Sequence, residues 1–392
     1  MAQLMQSPTL SVRERDRRYA RLREGLKEKG ADCAVVAASN LFYVSNGISG
    51  ERFGLLPTED LPITVVVNGR HLVDVPASVI TESQEWVKDV RGANDASPLI
   101  ARIKELKLEK GSIGLANKNL PLNVHRQLAR ELPEAKLVDV SEVFDDVRTI
   151  KGDEEIALLE QASRVFDAGI ERMYERVRPG MTGSEATREA IIGMWNAGGD
   201  LDSTLGFNFG AVPKQNPVLS DLCLTRSIQW GEIGTLTGHS EYAHYAGHSD
   251  QEIAFGEPSA MHKEMFQAVL EVRDAVLAHV KPGSTQRELT EVYRQACEKT
   301  GFKWSMHSQM HQYGIDVPEF PGPSFRVADG GGDRGLGSAG NYTLAAGMIY
   351  SISPTLVAPN GQDTLLGGTS LVITEDGYRN LSDRKVEMLV VA

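Results

Sequence analysis

Apolar positions recur at helical spacing in several segments of this chain and gather into short runs between them. Residues 12–29 are charged, carry apolar side chains at helical spacing and can stop at Gly30. Ala34, Val35, Val36 and Ala37 then read as a short buried strand. Residues 63–67 and 71–75 flank Asn68-Gly69, the turn dipeptide of a hairpin. A helix is predicted over 97–106 and a strand over 113–115. Such alternation predicts an α/β N-terminal domain over residues 1–150.

Beyond residue 150 the period becomes predominantly helical. Ile156, Leu159, Ala162, Val165, Phe166, Ile170 and Met173 mark one face of a helix over 153–178, which ends at Pro179-Gly180. A second helix is predicted over 258–279, ending at Pro282-Gly283. Thr182 followed by Glu185, and Thr285 followed by Glu288, each have capping-box spacing and open a further helical stretch that closes on Gly198 or Gly301. The equal spacing marks an internal repeat. Strand pairs are expected at 235–245 with 248–255, and at 348–357 with 365–374. Two helix pairs on a curved antiparallel sheet, with a pseudo-twofold internal repeat, make residues 151–392 an α+β domain.

The chain has 392 residues, enough for two domains with cores of their own. A net charge of −12 with no basic cluster excludes nucleic acid as the expected partner. No run approaches the ~20 apolar residues of a membrane span, and residues 1–18 lack the apolar stretch of a secretory signal. Cytoplasmic location is therefore expected. Cys33, Cys223 and Cys297 have no ligand spacing and read as free thiols.

Several short motifs are shared with a known family. Arg148-Thr149-Ile150-Lys151 followed by Glu154-Glu155-Ile156 is one, and Asn40-Leu41-Phe42-Tyr43 is another. The paired Pro-Gly turns, the run from His311 to Glu319, and Thr374-Glu375-Asp376-Gly377 complete the set. Together they resemble the creatinase, prolidase and aminopeptidase P family, whose catalytic domain has the pita-bread fold. The resemblance implies a homodimer in which one subunit's N-terminal domain covers the other's cleft. It also implies a dinuclear metal site built from two Asp, one His and two Glu. On this chain those positions fall on Thr237, Asp250, His311, Ser353 and a place near Gly368, with an apparent two-residue insertion before Asp250. Hydroxyls and a glycine cannot supply the anionic oxygens that two hard cations require. Within that family, creatinase is a member that hydrolyses a C–N bond without metal. Its catalytic His falls on Gln215, and its two pocket Glu positions fall on Glu252 and Ser353.

The remaining chemistry crowds one predicted hairpin, which carries His239, Glu241, His244, His248, Asp250 and Glu252. Strand alternation puts His248, Asp250 and Glu252 on one face, and His239 and Glu241 on the face of Thr237. His244 is expected to point the other way unless a bulge intervenes. The expected function is metal-independent hydrolysis of a non-peptide C–N bond in a small polar metabolite, without a cofactor. His311 is the expected base, with Asp250, Glu252 and His248 as the other catalytic groups. His239, Glu241, Tyr313, Gln215, Arg52 and Phe209 are the expected substrate-binding residues. Two alternatives stay open. One is a lyase or hydrolase with a single metal on His239, His248, Asp250 and His311. The other is a non-catalytic peptide-binding protein. Residues 329–340 are glycine-rich, lack a phosphate-cradling ending and are expected to form a loop near the cleft.

Overall fold

The structure is a computed structural model. It describes residues 9–47, 51–70, 85–116, 120–201, 203–209, 224–304, 309–320, 342–361 and 363–392. The expected second strand at 71–75, the glycine-rich stretch 329–340, Gln215 and Cys223 lie outside the described residues. The chain divides into two compact units, Thr9–Arg148 and Thr149–Ala392.

The N-terminal unit is built on a mixed sheet. Its strands are β1 (Cys33–Val36), β2 (Glu51–Pro57), β3 (Thr64–Val67), β4 (Asp89–Gly92), β5 (Ser112–Leu115) and β6 (Lys136–Asp139). They lie in the order β4-β3-β2-β1-β5-β6. The helices are α1 (Val12–Glu28), α2 (Ala38–Ser45), α3 (Ser97–Glu105), α4 (Leu122–Glu131) and α5 (Ser141–Thr149). All four side chains of β1 are buried, the signature of a strand covered on both faces. The family-like Asn40 has a structural task. Its side chain accepts from Arg148 Nη1 at 2.9 Å and donates to the Ala116 carbonyl. Arg52, an expected substrate contact, is half-buried on β2 with its guanidinium 5.7 Å from the Phe53 ring.

The C-terminal unit shows the internal repeat. Its first half holds α6 (Asp153–Arg176), α7 (Gly183–Asn196), β7 (Thr204–Phe209), β8 (Ile233–Tyr242) and β9 (Tyr245–Phe255). Its second half holds α8 (Ala260–Leu277), α9 (Gln286–Thr300) and β10 (Lys303–Trp304), followed by β11 (Gln309–Gln312), β12 (Ile349–Ser353), β13 (Thr355–Val357), β14 (Thr364–Leu366), β15 (Thr369–Ile373) and β16 (Tyr378–Asn380). The final strand β17 (Leu389–Val391) returns to the first half and runs parallel to β9. Both capping boxes form, at Thr182/Glu185 and Thr285/Glu288. Equivalent turn glycines have positive φ, 97° at Gly180 and 88° at Gly283. Each donates its N–H to a matching carbonyl, of Ile228 and Leu344 respectively. Isolated bridges Thr182–Ser227 and Thr285–Thr343 repeat the correspondence.

Three sheets meet in this unit, with strand orders β17-β9-β8-β7, β11-β12-β15-β16 and β10-β13-β14. Both predicted strand pairs differ from those found. The first hairpin turns at Ala243-His244, so β8 stops at Tyr242 rather than running to 245. The second pair is broken by Pro354 and by Gly367-Gly368, giving β12 paired with β15 and β13 paired with β14. Pro354 has no N–H for the ladder, which explains the break there. The helices cover the sheets from one side, with Val165, Phe166, Ile170 and Met173 of α6 buried against Phe207, Phe209, Leu236 and Phe255.

Candidate functional site

The β8–β9 hairpin assigns each side chain to a face. A Cβ on Gly247 would fall inside 3.0 Å of the Ala162 backbone on α6, so odd-numbered residues of β9 turn toward the helix. His248, Asp250 and Glu252 turn the other way. Register sets His239 opposite His248, Thr237 opposite Asp250, and Thr235 opposite Glu252.

Asp250 is 4% exposed, and hydroxyls hold both of its oxygens. Thr237 Oγ1 donates to Oδ1 at 2.6 Å, and Ser353 Oγ donates to Oδ2 at 2.7 Å. Ser351 Oγ lies 3.2 Å from Ser353 Oγ. A Cβ on Gly368 would fall inside 3.0 Å of both Asp250 Oδ2 and Ser353 Oγ. The structure thus brings together Thr237, Asp250, Ser353 and Gly368, four of the five positions where the resemblance expects metal ligands. The donor set does not fit two cations. It offers one carboxylate, each oxygen already accepting from a hydroxyl, and a side chain at 368 would have no space to begin. Glu252 is equally enclosed, at 1% exposed. Thr235 Oγ1 lies 2.9 Å from each of its oxygens, and the Leu366 N–H donates to Oε1 at 2.9 Å.

The imidazoles are arranged differently. His248 Nδ1 lies 2.5 Å from the Gly238 carbonyl, and His311 Nδ1 lies 3.2 Å from the Gln312 carbonyl. A carbonyl oxygen only accepts, so Nδ1 carries the hydrogen in each ring. Each Nε2 is left with a lone pair while the ring is neutral. Gly238 reaches this geometry with φ of 145°, a backbone state that favours glycine. The two ring centroids are 5.1 Å apart, and the buried Tyr313 ring stands 5.9 Å from His248 and 6.4 Å from His311. Burial, with help from His248, lowers His311 to about 3. A group held that low is a weak base near neutral pH, which counts against His311 as the expected proton acceptor. His248 is only half-buried. Burial also lowers His239.

Other expected site residues are placed elsewhere. Phe209 is 0% exposed. It packs 5.5 Å from Phe207, with the Arg226 guanidinium 4.5 Å above its ring, so it belongs to the core. Glu241 lies four residues from Thr237, about 13 Å along the strand at about 3.3 Å per residue. It sits near the hairpin tip, its Oε1 3.8 Å from His239 Nε2. There Asp200, Glu241 and His244 place ligand-type atoms within 4.8 Å of one another. Among the described residues His239, His248, Asp250 and His311 form no such set. Asp250 and His248 of that expected set are instead bonded to hydroxyls and to a backbone carbonyl. His244 occupies the turn itself, with φ of 63°, rather than either strand face.

Sequence reasoning missed the surroundings of His248. A small polar cavity of about 20 Å³, water-sized rather than metabolite-sized, borders it and is lined in part by Ser163, Asp167, Ser370 and Arg384. Arg384 Nε lies 3.4 Å from Asp167 Oδ1. Burial raises the Asp167 carboxyl and lowers the Arg384 guanidinium, each disfavouring its own charge. The helical period flagged Val165 and Phe166 but not Asp167 one position on. Arg384 follows a strand end without any periodic signal. A further buried pair joins two family-like motifs: Lys151 Nζ meets Glu319 Oε2 at 2.9 Å, with side chains 1% and 5% exposed. Glu319 Oε1 also accepts the Ile315 and Asp316 N–H groups at 2.9 and 3.2 Å, which ties down the loop after His311.

Comparison with known proteins places this geometry. Residues 157–378 match metallopeptidase family M24, and residues 18–150 match the creatinase/prolidase N-terminal domain. A creatinase from a Bacillus species is 26% identical over 399 residues, covering 96% of this chain and 92% of that protein. An Xaa-Pro dipeptidase from Pyrococcus horikoshii is 23% identical over 385 residues, covering 93% of this chain and 97% of the relative. Among solved structures, an Xaa-Pro dipeptidase from Bacillus anthracis superposes with a TM-score of 0.80 at 21% identity, covering 96% of this chain and 100% of the other. Among the described residues, no helix is long and apolar enough to cross a membrane.

Proposed function

We propose that this chain, which belongs to metallopeptidase family M24, hydrolyses a non-peptide carbon–nitrogen bond in a small polar metabolite without the metal pair of that family. The observation that carries the proposal is the pair of imidazoles 5.1 Å apart. Each has its Nδ1 hydrogen directed to a backbone carbonyl, beside a carboxylate bonded to hydroxyls. In this reading His248 Nε2 accepts a proton from water as the oxygen attacks the carbon. The carbon–nitrogen bond then breaks, and the imidazolium returns the proton to the leaving nitrogen. His311, kept neutral by burial, accepts a hydrogen bond from substrate or water through Nε2. Asp250 and Glu252 supply fixed negative charge on the same strand face, which favours the transient imidazolium. The likeness to a creatinase over nearly the whole chain supports a non-peptide substrate.

The test is a turnover screen of guanidino compounds, cyclic amidines and amides, followed by a His248→Gln variant on any substrate found. A fall of about 10²–10⁴ in kcat is expected for loss of the general base. Near-normal kcat in folded His248→Gln would refute the role. The family resemblance also implies a homodimer, which light scattering checks directly: a monomer mass would overturn it.

A further inference from the structure

The metal positions of the fold have become something specific in this chain. We propose that β9 carries a metal-free hydrogen-bonded seam, centred on Asp250 and Glu252, that joins the three sheets of the C-terminal unit. Three alternate residues of β9 each meet a different strand from outside their own sheet. The His248 carbonyl accepts from Ser370 Oγ on β15. Asp250 Oδ2 accepts from Ser353 Oγ on β12 at 2.7 Å. Glu252 Oε1 accepts from the Leu366 N–H on β14 at 2.9 Å. Within its own sheet, β8 supplies Thr237 to Asp250 and Thr235 to Glu252. Each carboxylate is therefore gripped from both sides by neutral donors.

The chemistry of the replacements fits this role. A metal ion bridging carboxylates from separate strands would fasten those strands together. Here hydroxyls at 237 and 353 turn the same positions from electron-pair donors to a cation into hydrogen donors to Asp250. Gly368 completes the exchange, since the seam occupies the place where its side chain would begin. Neutral donors thus meet the oxygens of both carboxylates where the family resemblance would place a cation. The seam uses the same Asp250 and Glu252 that the hydrolase reading places beside the histidines, but its test uses no substrate, so the two readings fail separately.

Wild-type protein, purified and dialysed without chelator, is assayed for metals by mass spectrometry. Thermal unfolding is then recorded with EDTA, and with Mn²⁺, Co²⁺ or Zn²⁺. The seam predicts less than about 0.1 ion per chain and a midpoint unmoved by chelator or metal. Ser353→Ala and Thr237→Val should each lower the midpoint by about 2–4 °C or more, and Thr237→Ser should restore it. One or more divalent ions per chain that disappear in an Asp250→Ala variant would overturn the proposal. So would a midpoint that rises with metal in wild type but not in Asp250→Asn, or wild-type stability in both hydroxyl-deletion variants. The metal assay on wild type stands even where a variant fails to fold.

Discussion

Replacing His311 with glutamine tests whether the site really holds a neutral, desolvated imidazole. Burial lowers His311 from 6.5 to about 3 in the folded chain, and the residue is 4% exposed, so solvent screening is slight. In the unfolded chain the ring titrates near 6.5. Between these values the unfolded state binds a proton that the folded state refuses. Stability from this group is thus complete above about pH 6.5 and drains away as pH falls toward 3. At pH 5.0 the unfolded ring lies about 1.5 units below its pKa, and at about 1.4 kcal/mol per unit the loss is about 2 kcal/mol. At pH 7.5 the loss is close to zero. Urea unfolding in a Trp86→Phe background leaves Trp195, Trp230 and Trp304 to report on the C-terminal unit alone. Wild type should lose about 2 kcal/mol more between pH 7.5 and 5.0 than His311→Gln does. His239 is lowered in the same direction and contributes equally to both proteins. Identical pH dependence in the two would show that His311 is solvated or charged, and the neutral-acceptor role would fall with it.

Two stability predictions follow from other buried contacts. Lys151→Met strands the Glu319 carboxylate, 5% exposed, and should cost about 3–5 kcal/mol. The double variant Lys151→Met/Glu319→Gln should recover much of that, and chemical denaturation in a double-mutant cycle reads the coupling. Gly247→Ala places a methyl inside 3.0 Å of the α6 backbone at Ala162. It should destabilise by at least about 1–3 kcal/mol, and an unchanged calorimetric midpoint would contradict the close approach of β9 to α6.

The repeat was the most legible feature of the sequence. Thr182/Glu185 and Thr285/Glu288 announce helix starts by local chemistry, and both form the reciprocal caps expected of them. Strand faces were legible for the same reason, since a period of two puts His248, Asp250 and Glu252 together without any tertiary information. Partners from distant strands were legible only through the family resemblance, which set Ser353 in one site with Asp250 but not as its hydrogen-bond donor. Nothing near Asp250 in sequence points to Ser353, 103 residues away, as its donor. Nor does a local pattern place Phe209 in the core, because an aromatic at a strand end fits cleft and core equally well. The hairpin boundary failed on a two-residue turn built from unusual residues. Ala243 and His244 adopt φ of 48° and 63° without being glycine or asparagine, so the usual turn residues were missing.

The family motifs also divide by purpose once their contacts are known. Lys151 and Glu319 lie in motifs that resemble the family and proved to be partners in one buried pair. Asn40 and Arg148 are another such pair, inside the N-terminal unit. These four motif residues thus hold the scaffold. The three altered ligand positions, Thr237, Ser353 and Gly368, gather around the retained Asp250. That division changes how carboxylate mutants should be read. In the proposed readings Asp250 and Glu252 both tie sheets together and lend charge to the histidine pair, so an activity loss in either variant mixes two effects. A histidine variant does not join sheets through its ring: Ser370 grips the His248 carbonyl, which substitution leaves in place. Loss of kcat with an unchanged unfolding midpoint is therefore diagnostic for His248, whereas the same loss in an Asp250 variant carries meaning only beside a measured midpoint.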